Sequence, residues 1–260
     1  MFIQEISIQI NTKLSRRKLV DQFECLLGSY HITGQVVNVG SLIYSREFPF
    51  IVNNCIKCYV NTLEKNSLHK KYNPLRVKED VENIEKLCNA KMEVKILGKT
   101  FYYKEACTCK KHTFFILFDS ITGPLECGVC FNPIALYRLK ELSLVEDFQR
   151  MLLWQKNYAA CDALQLNCHV GERWATNQMR NHTSELSEMG LDICRNIEKL
   201  TGYAVYYYLY NYRRLTLEQD KKRKCPSCGG KWLLKNRFGV IFDFKCDKCK
   251  LVSSLTTNLI

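Results

Sequence analysis

Four cysteines near the end of the chain have the spacing of a metal site. Cys225 and Cys228 form one C-x-x-C pair, Cys246 and Cys249 form another, and 17 residues separate the inner two. Zinc prefers four soft or borderline ligands in a tetrahedron, and a C-x-x-C turn offers two sulfurs from one tight knuckle. A redox motif would need only one such pair, and a catalytic zinc would keep a position open for water. We therefore predict a structural zinc ribbon whose four positions are filled by thiolates.

A second group of four cysteines repeats this arrangement earlier in the chain. Cys107 and Cys109 form a C-x-C pair, Cys127 and Cys130 form a C-x-x-C pair, and 17 residues again lie between the inner two. His112 could replace one of these ligands, and a reduced cysteine-rich turn is the alternative to a metal site. We predict a second structural zinc, so about two zinc ions per chain.

The remaining cysteines do not complete a third set of ligands. Cys55 and Cys58 form a C-x-x-C within an apparently continuous strand, where residues three apart point to opposite faces. We expect buried, reduced thiols there, since free cysteine packs as a small hydrophobe. The same prediction applies to five cysteines in or beside predicted helices: Cys25, Cys88, Cys161, Cys168 and Cys194.

Groups suited to acid–base catalysis are few. His169, Glu172 and Arg173 lie close together, as do His182 and Glu185. We find no nucleophile elbow, Walker loop, H-E-x-x-H motif or nuclease-like motif that falls on a strand. Ordinary polar positions on helices are the better interpretation, and the sequence predicts a protein that is not an enzyme.

The charge of the chain points to an anionic partner. Lysine and arginine outnumber aspartate and glutamate by 38 to 26, a net charge of +12, and by 12 to 4 from residue 211 onward. Each zinc with four thiolates contributes about −2, which reduces this excess without removing it. Nucleic acid or an acidic protein fits such a surface, although a solvated linker would carry the same charges. The exposed contact candidates predicted on the C-terminal hairpin are Lys231, Trp232, Lys235, Arg237 and Phe238.

The amino terminus favours a cytoplasmic location. It alternates apolar and polar residues and lacks the features of a signal peptide, and no apolar run approaches the roughly 20 residues that span a bilayer. We expect a cytoplasmic protein with reduced thiols and no membrane contact.

The periodicity of apolar residues predicts an α+β fold with two zinc-bound cysteine hairpins. Alternation over 2–10, an apolar run over 48–64 and "KMEVKILGK" indicate strands, and helices are predicted from Ser15 toward Gly28 and around Val81. We divide the chain into four regions. They are an α/β N-terminal region (1–105), a first zinc knuckle hairpin (106–135), a helical region with a closing strand (136–212), and a basic linker with the C-terminal zinc ribbon (213–260).

Four alternating tyrosines occupy one face of the predicted closing strand. They could stack on the bases of a single-stranded nucleic acid. They could equally form a half-buried sheet face, which we favour because tyrosine is a good strand residue. The four are Tyr206, Tyr208, Tyr210 and Tyr212.

The segments "CPSCGGKWLL", "FDFKCDKCKLVS", "WQKNYAACDALQLNC", "VGERWATNQM" and "EKLTGYAVYYYLY" carry a family resemblance. The chain resembles the bacterial family described as zinc-ribbon-containing, possibly nucleic-acid-binding proteins, most strongly from Cys107 to the end. That resemblance implies that the eight cysteines of the two groups bind zinc and that no enzymatic activity is established.

The resemblance also implies a partner. Related proteins resemble immunity partners of antibacterial nuclease toxins delivered by type VI secretion, including toxins of the VRR-Nuc class. A nuclease active site is a cluster of carboxylates around divalent metal, and a basic zinc hairpin could cover it. The leading hypothesis is an immunity protein that occludes a cognate nuclease toxin; the alternative is a nucleic-acid-binding protein with a regulatory role.

Overall fold

The computed structural model describes residues 1–37, 48–100, 104–120, 122–139, 145–212, 215–239 and 241–256, with the side chains of 145–147 left out. The chain forms two compact units. The first contains Met1–Ala106 and Pro133–Gln149, and the second contains Cys107–Asn132 and Arg150–Ile260. Strands lie near the amino terminus, helices lie in the centre, and one cysteine group lies near the carboxyl terminus, which confirms the predicted α+β class.

The first unit is a four-stranded antiparallel sheet with two helices. Its elements are β1 (Phe2–Gln9), α1 (Arg16–Ile32), β2 (Phe50–Val52), β3 (Cys55–Thr62), α2 (Leu75–Cys88) and β4 (Met92–Lys99). The strand order is β2-β3-β1-β4, and every neighbouring pair is antiparallel. This order and connectivity define the ferredoxin-like βαββαβ arrangement.

The core of the first unit follows from two periodicities. Ile6 and Ile8 alternate with outward-facing residues of β1 and are buried, while Phe23 and Ile84 come from the apolar stripes of the two helices. Helix α1 does not end at Gly28 as the sequence predicted, but continues to Ile32. The fully buried ring of Tyr30 packs in the same core, and its burial offsets the roughly 1 kcal/mol that a glycine inside a helix costs.

The apolar run over 48–64 is a hairpin, so the prediction of one continuous strand was wrong. Asn53 and Asn54 form its two-residue turn with φ of 48° and 58°, the left-handed values that a type I′ turn requires. Asparagine tolerates these values better than most residues. Cys55 and Cys58 follow in β3, and both thiols are buried, as predicted.

The second unit is built on a six-stranded mixed sheet. Its strands are β5 (Phe114–Ser120), β6 (Gly123–Cys127), β7 (Ala204–Tyr208), β8 (Leu233–Phe238), β9 (Phe242–Cys246) and β10 (Leu251–Ser253). The order is β6-β5-β7-β10-β9-β8, with β7 parallel to both of its neighbours. The helices that follow β6 in sequence are α3 (Val145–Asn167), α4 (Glu172–Arg180), α5 (Glu185–Thr201) and α6 (Leu217–Lys221). No helix among the described residues is both long and apolar enough to cross a membrane.

Helices α3 and α5 pack on one face of this sheet around Tyr207. The ring of Trp154 in α3 lies 5.9 Å from that of Tyr207, and a Cβ added to Gly190 of α5 would lie 2.3 Å from Tyr207 Cε2. On the opposite face, Tyr208 packs against aromatic rings of the two hairpins. Tyr206 is also buried. Neither Tyr206 nor Tyr208 therefore presents a ring for stacking on bases, in agreement with the sheet-face interpretation. Tyr210 and Tyr212 lie beyond the end of β7, so the prediction that all four share one strand face was wrong for these two.

Candidate metal centres

The C-terminal cysteines converge on one point at an end of the sheet. The sulfur atoms of Cys225, Cys228, Cys246 and Cys249 all lie within 4.8 Å of one another. The first pair lies in the turn before β8, Cys246 ends β9, and Cys249 lies in the turn before β10. Gly229 has a φ of 68°, and its N–H donates to Cys225 O at 2.9 Å, which closes the knuckle. A side chain would strain that conformation.

The separation of these sulfurs fits a metal of the size of zinc. Cys228 Sγ and Cys246 Sγ lie 3.7 Å apart. A tetrahedron with metal–sulfur bonds of about 2.3 Å has edges of about 3.8 Å. The backbone N–H of Gly230 lowers the pKa of Cys228 to about 7, whereas burial raises the pKa of Cys246 to about 12. Four sulfur donors at this spacing form a set that a soft or borderline cation would hold as thiolates.

The second cluster lies at the end of the hairpin formed by β5 and β6. The sulfurs of Cys107, Cys109, Cys127 and Cys130 also lie within 4.8 Å of one another. The Cys109 N–H donates to Cys107 Sγ at 3.4 Å, and the Val129 N–H donates to Cys127 Sγ at the same distance. Each pair of sulfurs is therefore oriented by the backbone of its own turn. Both groups of four cysteines can hold a metal ion.

His112 lies beside the second cluster without belonging to it. Its Nδ1 is 3.5 Å from Cys127 Sγ, and its ring packs on Phe115 and Tyr203. Burial opposes ionisation of Cys127, but hydrogen bonds from the backbone N–H groups of Cys130 and Val129 and from His112 outweigh it and hold the pKa of Cys127 below its ordinary value. The geometry thus favours four cysteine ligands, with His112 as a hydrogen-bonding neighbour of one of them.

Both clusters lie at the same end of the six-stranded sheet. Strands β5, β7, β10 and β8 all run in one direction. Each cluster combines cysteines before the first strand of a hairpin with cysteines at the end of its second strand. Cys127 is opposite Phe115 in β5, and Cys246 is opposite Leu251 in β10, with β7 alone between these two strands. Strands β5, β7 and β10 lie between Cys127 of β6 and Cys246 of β9 in the order of the sheet. We call this the metal-bearing end; it comprises 107–112, 127–131, 224–231 and 245–250.

A cluster of lysine and aromatic side chains joins the two hairpins at this end. Lys245 Nζ lies 5.3 Å from the ring centre of Phe114 and 4.6 Å from that of Tyr206, and Lys250 Nζ lies 5.3 Å from Tyr206. The Tyr206 hydroxyl donates to Asp247 Oδ1 at 2.5 Å, and Lys245 Nζ lies 2.7 Å from the same oxygen. Cation–π contacts and this ion pair therefore link β5, β7 and β9 between the clusters.

The contact candidates on the C-terminal hairpin differ in exposure. Lys231, Lys235 and Arg237 are exposed. Phe238 is half-buried among three other phenylalanine rings. The expectation that Trp232 is exposed is wrong, because its side chain is only 2% accessible and its Nε1 donates to a backbone oxygen at 3.0 Å.

Sequence reasoning missed other exposed lysines at the metal-bearing end. Lys110, Lys111, Lys224 and Lys248 are all exposed, and each lies within two residues of a cysteine of the clusters. Their proximity to the ligand cysteines was the available signal. Arg213 and Arg214, which contribute to the C-terminal charge, lie outside the described residues.

The segment 215–224 before the ribbon is not exposed throughout. The prediction of a simple basic linker was wrong at Asp220 and Arg223, whose side chains are buried. Arg223 Nε lies 3.1 Å from Asp220 Oδ1, and both side chains are almost inaccessible. The Arg223 guanidinium lies 4.8 Å from the Trp232 ring centre and 4.3 Å from that of Phe244. The short helix α6 starts with a capping box formed by Thr216 and a glutamine. Arg223, held by Asp220, therefore joins the segment to the ribbon through its contacts with Trp232 and Phe244.

The cysteines outside the clusters fall into two groups. Cys88, Cys161 and Cys194 are buried, as predicted, whereas Cys25 and Cys168 are exposed, so the prediction of packed thiols was wrong for these two. Cys25 lies on the outward side of α1, and Cys168 adopts a left-handed φ of 56° in the turn that ends α3.

Two half-buried carboxyl groups lie on β5 and α3. Burial raises the pKa of Asp119 to about 6, Asp162 raises it further, and a hydrogen bond from Gln155 Nε2 at 3.1 Å partly offsets the rise. Burial also raises the pKa of Asp162. Among the described residues, the two cysteine clusters are nevertheless the only groups of three or more potential ligands within reach of one metal ion.

Replacing Asp119 with asparagine is expected to stabilise the protein at neutral pH. Because the folded-state pKa of Asp119 exceeds its unfolded value, its stabilising contribution is complete below about pH 4 and is lost as the pH rises through about 6. Asparagine cannot ionise, so the free energy of unfolding at pH 7.5 should rise by about 1–3 kcal/mol. Urea denaturation at pH 7.5 and pH 3.5 measures this; an equal difference at both pH values would contradict it.

The fold and the two clusters define a mixed α+β protein with two four-cysteine metal sites. Residues 108–210 match a family model described as a domain of unknown function, DUF2310. Residues 214–259 and 1–98 match two further domains of unknown function, DUF8594 and DUF8589. The ribbon cysteines thus lie within one matched region, and all but Cys107 of the other cluster lie within another.

Two uncharacterized proteins of Haemophilus influenzae are similar to this chain. The first is 43% identical over 139 residues, which are 53% of this chain and 68% of the relative. The second is 42% identical over 140 residues, 53% of this chain and 52% of the relative, so the chain spans about half of its length. No solved structure matches. The chain belongs to the uncharacterised bacterial family that the first of these relatives represents.

Proposed function

We propose that this protein is a zinc-stabilised binding protein, not an enzyme, in which each cysteine cluster holds one structural zinc ion. The observation that carries this proposal is the convergence of four sulfurs at each of two sites. Four thiolates complete the tetrahedral shell of zinc, so neither ion would keep a position for water or substrate. In this proposal the metal fixes the two hairpins, and the exposed surface around them makes the contacts.

We further propose that the partner is a nuclease toxin and that the protein acts as its immunity partner in the cytoplasm. The family resemblance supports this role, and so does the charge of the metal-bearing end. Lys110, Lys111, Lys224 and Lys248 are exposed there. The acidic metal-binding centre of a nuclease would be attracted to such a surface, and a rigid hairpin held over that centre would exclude DNA.

The test combines binding with inhibition of DNA cleavage. The purified protein is mixed with a candidate nuclease toxin of the VRR-Nuc class from the neighbouring genes, and the dissociation constant and the residual cleavage are measured. The Lys111→Glu/Lys248→Glu variant should bind at least about tenfold more weakly, because it reverses two charges at the metal-bearing end. The Lys18→Glu/Lys86→Glu variant makes the same change in net charge on exposed positions of the first unit and should bind like the wild type. Absence of a complex, or equal weakening by both variants, would overturn the toxin proposal.

Direct binding of nucleic acid is the second candidate function. Exposed lysines in the turns of both clusters suit contacts to several phosphates of one nucleic-acid segment. Affinity for DNA or RNA should then fall steeply with salt, and the Lys111→Glu/Lys248→Glu variant should reduce the slope by about two. No binding at about 50 mM salt would exclude this candidate, since electrostatic binding is strongest there.

A further inference from the structure

Strand β4 is an edge strand with unusual exposure. It ends the order β2-β3-β1-β4, and no described strand pairs with its outer edge. Seven of its eight residues are exposed, from Glu93 to Lys99. An eight-residue edge of this kind presents a row of unpaired backbone N–H and C=O groups, which natural proteins usually shorten, cover or pair.

The helix-facing side of β4 is apolar and incompletely covered. Val94 is opposite Ile6, and Met92 is opposite Ile8, so these β4 residues share the face that carries the buried core of β1. Val94 is nevertheless 39% exposed and Ile96 is 45% exposed. The apolar face therefore continues beyond the helices that cover its centre, up to the open edge.

The sequence of β4 is complementary to itself in one antiparallel register. If two copies pair around a two-fold axis at Val94, then Glu93 is opposite Lys95 of the second copy, and this pair occurs twice. On the apolar face, Met92 of each copy is then opposite Ile96 of the other copy, and the two Val94 side chains are opposite each other. Directly opposed residues of an antiparallel pair lie about 4.5–5.5 Å apart at Cβ, within reach of ion pairing.

Neighbouring registers are less favourable. Centring on Glu93 opposes two glutamates, and centring on Lys95 opposes two lysines, which is destabilising. Centring on Ile96 would oppose Glu93 to Lys99, but Lys99 already pairs with Glu105 of its own chain. Lys95 is opposite Glu5 of its own β1, but Glu5 pairs with Lys57, and neither Glu93 nor Lys95 forms an ion pair with another described residue.

We propose that two copies of this chain associate through their β4 edges, in the Val94-centred register, to form a continuous eight-stranded antiparallel sheet. The association is isologous, so each copy supplies the same edge and the assembly closes at two. It buries the exposed Val94 and Ile96 side chains of both copies and pairs the open backbone edge. This inference is independent of the metal-bearing end and of the partner proposed for it.

Sedimentation equilibrium over a concentration series tests this association. The wild type should be a monomer–dimer system, and Glu93→Lys or Lys95→Glu alone should each raise the dimer dissociation constant by about tenfold or more, since each opposes like charges twice. The double variant E93K/K95E restores two opposite pairs and should dimerise like the wild type. An equimolar mixture of the two single variants should form a heterodimer, because the lysines at positions 93 and 95 of one variant are then opposite the glutamates at positions 95 and 93 of the other.

The matched control is Lys99→Glu, which makes the same change in charge as Lys95→Glu and lies on the same strand. It should leave the dissociation constant within about twofold of the wild type, because an exposed ion pair contributes little. Thermal unfolding of every variant shows whether the fold is retained. A wild type that stays monomeric at the highest concentration, or single variants that dimerise as well as the wild type, would overturn the proposal.

Discussion

Removing the metal is expected to unfold the C-terminal ribbon. Most residues of β8 are exposed, so the apolar packing of this hairpin comes mainly from Trp232 and β9, while the ion joins the buried Cys225 before β8 to the buried Cys246 at the end of β9. Replacing Cys246 with serine, or adding a strong chelator, should lower the local free energy of unfolding by on the order of 5 kcal/mol or more. Structural zinc in small fingers contributes about 10–16 kcal/mol, which makes a loss of this size reasonable.

Hydrogen exchange of the backbone measures this effect region by region. In Cys246→Ser, protection should be lost over 224–250, while the first unit stays protected. Cys168→Ser is the matched control, because Cys168 is exposed and belongs to neither cluster. Unchanged protection of the ribbon in Cys246→Ser and after chelation would show that the ribbon is stable without metal.

Replacing Arg223 with alanine is expected to destabilise the second unit by about 3–5 kcal/mol, the usual cost of leaving one partner of a buried ion pair uncompensated. The Asp220 side chain is only 2% exposed, and its carboxylate would keep hydrogen bonds from Asn211 and Thr256 but lose the cation that balances its charge. The substitution also removes the guanidinium that packs between Trp232 and Phe244. Urea denaturation of the metal-loaded protein measures the change.

Two further variants separate the buried charge from other effects. Lys222→Ala changes an exposed neighbour and should alter the free energy of unfolding by less than about 0.5 kcal/mol. Asp220→Asn combined with Arg223→Met removes both charges and should cost less than Arg223→Ala alone, because no uncompensated carboxylate remains. A double variant at least as unstable as Arg223→Ala would show that the ion pair is not the source of the effect.

The two cysteine groups were predictable because the information is local. Each pair of sulfurs comes from residues two or three positions apart, and the requirement of zinc for four ligands joins the pairs. The α+β class was predictable for a similar reason, since the apolar periodicity of β1 or α2 is contained in a short segment.

Other features depend on distant residues and could not be predicted this way. Trp232 is buried because Arg223, nine residues earlier, packs on it and accepts its hydrogen bond. The placement of both clusters at one end depends on β7, which pairs with strands far away in sequence. The Asn53-Asn54 turn lies within an apolar run without glycine, so periodicity alone indicated one strand.

We propose that each chain holds two structural zinc ions, each bound by four thiolates. Elemental analysis of the purified protein, followed by absorption spectroscopy after cobalt substitution, tests it most directly. We expect two zinc ions per chain and a cobalt spectrum typical of tetrahedral four-sulfur coordination at both sites. Protein that is folded with one ion or none, or cobalt bound with nitrogen or oxygen ligands, would contradict it.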